Sequence, residues 1–432
     1  MTESEQILIV SVGFVAISVG FALWYRAMTS RRRRWPTHRF MASIGALLIG
    51  GGFEAVIYRE VSYRGALVAF AFDLALKVYD WIRAKAEERS PATWLAGEFI
   101  GWKDFYRGHV AKCLTLVTPD GRKRIISHDV VFDNVKNRLP AERILFRDTN
   151  GDFEVPSDVE DHTTRPYRIV LPYFVRQCEK TRGSWKNGAN ARPICLIKSD
   201  GELRIDCETA LYTTFLRTNV LLDVKRFTRQ TLRERIHSDE KLPDLPDAKL
   251  ANHLGIELLV LTADGSMLFQ RRAQSVGFAR GKLCAGSSGA VTIDDFLPNH
   301  YLPLTQMRLF RESSEEINLR RKQIDSQSII FLGLSRDLQR GGKPELLVCA
   351  RSLLTKEKIQ ELAALAEDNW EWKNLEFFEF GILDDCVSEM GRTAFERRFD
   401  EFLRKYEEDM TDDLLAALIM WKRWMTTMPS TF

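Results

Sequence analysis

The feature that most constrains this chain is a run of nineteen uncharged residues, ILIVSVGFVAISVGFALWY, from Ile7 to Tyr25. A helix rising ~1.5 Å per residue over that length spans ~28 Å, which matches the hydrocarbon core of a bilayer. Glu3 and Glu5 precede the run, and Arg26 and Arg31 to Arg34 follow it. A cleaved signal peptide carries its positive charge before the apolar run, so this order predicts a retained transmembrane anchor. The arginines hold their side in the cytoplasm, which leaves the N-terminus outside and the bulk of the chain inside. Trp24 and Tyr25 stand where an aromatic belt would hold the helix at the interface. A second apolar stretch, Met41 to Tyr58, contains three consecutive glycines and Glu54. If it also crossed, the arginine cluster would have to lie outside, so an interfacial, re-entrant or oligomer-contact segment is the expectation. Residues 1–60 are thus read as the membrane segment and 61–90 as an amphipathic helical connector, broken by Asp73, Lys77 and Asp80.

The remainder reads as a mixed α/β (α+β) protein. A β-rich connector is expected over 91–160, with a hairpin turn at Pro119, Asp120 and Gly121, and the polar stretch Asp148 to Pro166 serving as a linker. The largest domain then runs over 161–432. In it short strands such as RPICLIKS, IIFLGLS and ELLVCARS alternate with helices near Thr228 to Ile236 and from Lys356, Ala394 and Asp412. Phe395, Phe399, Phe402 and Tyr406 recur at three- and four-residue spacing, the pattern of a core stripe. Seven scattered cysteines form no C-x-x-C pair, which argues against structural zinc and a disulfide framework and for free, buried thiols. A formal charge of +3 over 432 residues gives no basis for expecting DNA as a partner.

The chemistry concentrates between Asn252 and Leu319. The window opens on IELLVLTADGSMLFQRR, whose Asp264-Gly265 pair marks a hairpin, continues through GKLCAGSSGAVTIDD, and closes on a helix containing RESSEEINL. Thr305 is the expected cap of that helix, with Leu304 and Leu309 as a hydrophobic staple and Asn318 as the left-handed residue that ends it. Glu312, Glu315 and Glu316 fall at i, i+3 and i+4, so three carboxylates share one face. Such a face can hold Mg²⁺ through oxygen ligands, or simply stand in solvent.

These residues resemble the Nudix family signature of a Gly, five residues, a Glu, seven residues and then R-E-U-x-E-E-x-G-U, with U aliphatic. Gly289 is followed after five residues by Asp295, and Arg311, Glu312, Glu315, Glu316 and Leu319 match the second half. There are four departures: Asp295 replaces a Glu, fifteen residues separate it from Arg311, Ser313 occupies an aliphatic position, and Asn318 replaces the closing Gly. The resemblance implies a Nudix-like domain at the C-terminus, with Glu312, Glu315 and Glu316 as metal ligands and Arg311 bracing loop and helix. A divergent Nudix domain behind a membrane segment further resembles the SMODS-associated Nudix proteins of bacterial anti-phage (CBASS) systems. That resemblance implies an inner-membrane effector that senses a cyclic oligonucleotide made by a cognate synthase, oligomerises with itself, and disrupts membrane lipids. The phosphate and base contacts would come from Arg271, Arg272, Arg280 and Lys282, with Trp185, Lys186 and Trp370 as weaker candidates. The rival expectation is a membrane-tethered Nudix hydrolase that cleaves a nucleoside diphosphate derivative with Mg²⁺.

Overall fold

The computed structural model describes residues 101–427 apart from 183–186, 226–228, 238–240, 274–275, 277–278, 308–309 and 382–388. The apolar run 7–25, the stretch 41–58 and the connector 61–90 lie outside the described residues. Among the described residues no helix is long and apolar enough to cross a membrane.

Two sheets organise the described part. The first joins β1 (Cys113–Val117), β2 (Lys123–Asp133), β6 (Gly255–Leu261), β7 (Ser266–Arg272), β11 (Ile330–Asp337), β12 (Lys343–Arg351) and β13 (Trp372–Glu379) in the order β1-β2-β11-β12-β6-β7-β13. The short strands β8 (Leu283–Ala285) and β9 (Ser287–Ala290) pair with β7 and β6. Within this sheet β12 and β6 run parallel. Their residues GIELLVL and KPELLVCAR are buried on both faces almost throughout, the burial that a central parallel pair requires. The second sheet, in the order β10-β3-β5-β4, combines β3 (Ile144–Asp152), β4 (Ala189–Ser199), β5 (Glu202–Leu211) and β10 (Leu302–Pro303).

Alternation along the central strands sorts the core into two faces. Ile256, Leu258, Val260, Leu346 and Val348 join Phe146, Leu203 and Ile205 of the second sheet in one cluster. Leu259, Leu261, Leu347 and Cys349 face the other way, against α6 (Glu389–Tyr406) and α7 (Asp412–Thr426). The expected stripe is there, with Phe395, Phe399 and Phe402 buried and Tyr406 packed at its end. Between them α1 (Ser157–Arg182), α2 (Tyr212–Phe215, continued by a π turn Leu216–Val220), α3 (Leu232–Ile236), α4 (Arg311–Ile317) and α5 (Lys356–Ala363) fill the connections.

Several expectations change here. Within the range read as a β-rich connector, the hairpin of β1 and β2 extends the main sheet by pairing with β11, while β3 belongs to the second sheet. The expected linker Asp148 to Pro166 is instead the end of β3 and the first half of α1. Its helical stripe of Val159, Thr163, Val170 and Phe174 is buried, but Pro166, Pro172 and many charged residues dilute it in the sequence. The helix expected from Thr228 begins only at Leu232, where Thr231 forms a capping box with Glu234. Among the described cysteines Cys113, Cys207, Cys284 and Cys349 are buried, Cys195 is half-buried, and all are free.

Candidate functional site

Helix α4 is short, and only one of its two ends follows the sequence expectation. Asn318 takes the left-handed conformation at φ 53° and closes the helix as expected. Ser313, at a position where an aliphatic residue was expected, is fully buried, and its hydroxyl donates to the carbonyls of Phe310 and Leu319. Thr305 does not cap the helix: it lies in a separate 3₁₀ turn, Leu304–Gln306, and Phe310 precedes Arg311 at the helix start. Leu309, the inner half of the expected staple, lies outside the described residues. The long spacing between Asp295 and Arg311 also has a structural cause. The longer connection includes β10, where Leu302 pairs with Phe146 of β3 and docks it onto the second sheet.

The three glutamates separate into two environments. Arg311 engages Glu312 at 2.5 Å and Glu315 at 2.8 Å, and donates to the Ala290 carbonyl at 3.4 Å, which ties α4 to β9. Gly289 belongs to the same contact, since a Cβ there would collide with the Glu312 carboxylate. Glu316 points inward. Its carboxylate accepts from the Gln270 amide at 3.2 Å and the Ser288 N–H at 3.3 Å. Burial, then the nearby Glu371 and Glu312 carboxylates, push its pKa well above the usual carboxylate range. Asp295 turns back on its own loop, accepting from the Thr292 N–H and hydroxyl. Glu371, in a 3₁₀ turn after α5, joins this environment from 59 to 55 residues beyond the glutamates, a distance no local spacing could signal.

The cations expected to grip phosphate are mostly committed inside the protein. Arg271 pairs with Glu376 at 2.6 Å and donates to the Gly281 carbonyl. Arg272 is 18% exposed, 4.0 Å from Glu371. Lys282 donates to the Glu408 carbonyl at 2.9 Å, and Arg280 to the Val276 carbonyl at 2.9 Å. The Trp370 indole donates to Asp368, while Trp185 and Lys186 lie outside the described residues. A cleft of about 430 Å³ lies elsewhere, between Phe153, Arg192, Glu208 and Lys249. There the Arg192 guanidinium is spent on Glu208 and the carbonyls of Leu245, Ala248 and Leu250.

As arranged, the α4 set does not fit a Mg²⁺ ion. The donors are carboxylate oxygens, the right chemistry for Mg²⁺. Yet Arg311 holds two of them, and the third, Glu316, is buried and already accepts from Gln270 and Ser288. Among the described residues, the group of three acidic or histidine side chains whose ligand atoms lie within 4.8 Å of one another is His128, Asp337 and Asp413, on the opposite face of the main sheet from Ile256 and Leu258.

No family model and no curated protein matches the chain. Solved structures with weak likeness include DR0079 from Deinococcus radiodurans, at 13% identity over 36% of this chain and 82% of that one, with a TM-score of 0.21. A C. elegans Ap4A hydrolase in a binary complex is also among them, at 19% identity over 36% of this chain and 99% of that one, with a TM-score of 0.21.

Proposed function

We propose that the chain is a membrane-attached effector whose Nudix-like C-terminal domain binds a cyclic oligonucleotide without cleaving it. Binding drives self-association, and the N-terminal apolar run then compromises a bacterial inner membrane as an anti-phage response. The effector role rests on the resemblance carried by Gly289, Arg311, Glu312, Glu315 and Glu316 together with the run Ile7 to Tyr25. The choice of binding over hydrolysis rests on one observation: Arg311 already neutralises Glu312 and Glu315. Metal-assisted hydrolysis needs carboxylates free to hold a cation.

The second reading, a tethered hydrolase, is favoured by the electrostatic influence of Glu371 and Glu312 on the buried Glu316, which a cation would offset. It requires Arg311 to release its partners. Calorimetry of the full-length chain with a panel of cyclic di- and trinucleotides, with and without Mg²⁺, separates the two when each mixture is analysed for products. Tight binding of an intact cyclic nucleotide is the expected result. Mg²⁺-dependent breakdown of a linear nucleoside diphosphate derivative with no cyclic ligand bound would replace it with the hydrolase. Toxicity that persists after removal of residues 7–25 would overturn the effector role.

A further inference from the structure

Three residues far apart in sequence meet under the start of α7. His128 on β2 and Asp337 at the end of β11 are register partners across the two strands, so their side chains emerge on one face. Asp413 is the second residue of α7, a helix whose start is fixed by Thr411 accepting from the Leu414 N–H. Their ligand atoms all lie within 4.8 Å of one another. His128 is fully buried. Its Nδ1 pairs with the Ser335 hydroxyl at 2.9 Å, which leaves Nε2 aimed at Asp413 Oδ1, 3.1 Å away. Those two buried atoms are close but not aligned for a hydrogen bond, and neither makes one to any other group. A cation held between these two buried atoms would satisfy both.

We propose that His128, Asp337 and Asp413 bind one divalent transition-metal ion of the zinc or manganese class. Metal–ligand bonds of ~2.0–2.2 Å place adjacent ligand atoms ~3 Å apart, the spacing of the His128 and Asp413 atoms. One imidazole with two carboxylates is a donor set for such borderline ions rather than for calcium. The surrounding hydrogen bonds have the form that orients ligands. Ser335 fixes the imidazole, and Asp337 Oδ1 accepts from the Ser127 hydroxyl and the Gln339 N–H, both at 2.9 Å. Arg340 contacts Asp337 and Asp413 through their other oxygens, leaving Asp413 Oδ1 open. The ion would latch β2, β11 and α7 together on the face of the sheet away from the second sheet. This site is separate from the α4 glutamates and independent of the proposed nucleotide binding.

The test is elemental analysis of the full-length chain after growth in metal-replete medium and exhaustive dialysis, with X-ray absorption at the edge of whichever metal is retained. The expected result is about one ion per chain with an imidazole in its scattering shell. Ser335→Ala should weaken the retained metal about 10–100-fold, the usual effect of losing the group that orients a ligand. His128→Gln and Asp413→Asn should abolish retention. A chain that keeps less than roughly a tenth of an equivalent, or a metal with only oxygen neighbours, overturns the proposal, since metal affinity follows ligand type. So does a metal retained by His128→Gln and lost by Glu316→Gln, which would place it at α4.

Discussion

The carboxylates of α4 and those around His128 are both crowded, yet the two regions solve the crowding in opposite ways. On α4 the acids lie one helical turn apart, and the cation that answers them is Arg311 on the same turn, so the set is neutralised locally. Around His128 the acids arrive from β11, β12 and α7, and their answering cations come from elsewhere again. Arg340 reaches Asp337 and Asp413, and Lys343 reaches Glu345. With no ion bound, burial alone would lower the basicity of His128, but the Asp413, Asp337 and Glu345 carboxylates overcome it and raise the imidazole to about 9. Glu257, on the same face of β6, is pushed up to about 8 by burial and then by the Asp413 charge. The lesson is that neighbours in sequence can be neutralised by one neighbour, whereas neighbours made by tertiary packing remain under electrostatic stress that the fold itself must hold.

The largest effect that follows is at Asp413. Asp413→Ala strips Arg340 and His128 of a partner in a buried setting and should cost about 3–5 kcal/mol by chemical denaturation. A loss under about 1 kcal/mol would erase the contrast between the regions, because it is the size expected of a surface pair. Next, Arg311→Gln removes four charge-assisted hydrogen bonds and should cost about 1–3 kcal/mol. It should also let Mg²⁺ bind where the native chain binds little, read by calorimetry. Equal Mg²⁺ binding by both chains would show that Arg311 does not close the site.

A third, apolar setting sharpens the comparison through pH. His253 stacks on Phe215 at 4.7 Å and pairs with Asn190 at 3.0 Å, and burial, then the charge of Lys343, lowers its basicity to about 3. The unfolded chain takes up this proton below about 6.5 and the folded chain only near 3, so stability is complete above 6.5 and falls as pH drops. The expected slope is about 1.4 kcal/mol per pH unit between those limits. His253→Gln should flatten it in denaturation midpoints measured from pH 7 to 4, and an unchanged slope would assign the acid sensitivity to other groups. The smallest effect is Glu315→Gln, whose carboxylate is about a third exposed and should cost under about 1 kcal/mol.

Much of the local structure was legible because its signals are local. Gly265 and Gly121 sit at φ 84° and 82° in the turns their Asp-Gly pairs announce, and Asn318 ends α4 where the chain must turn left-handed. The Phe395, Phe399 and Phe402 stripe is core because three- and four-residue spacing puts all three on one helix face. The linker reading failed for the converse reason. In α1 polar residues and two prolines mask a buried stripe that only its packing against the π turn after α2 makes plain.

The sequence by itself determined the apolar run, the Asp-Gly turns, the Asn318 end of α4 and the order of acids on it, since each depends on residues a few positions apart. Only the tertiary structure decided which charges meet. Arg271 found Glu376, Glu371 came to Glu316, and His128 was set beside Asp337 and Asp413. Strand register and burial create these pairs across more than fifty residues, and no periodicity in the chain encodes a contact of that range.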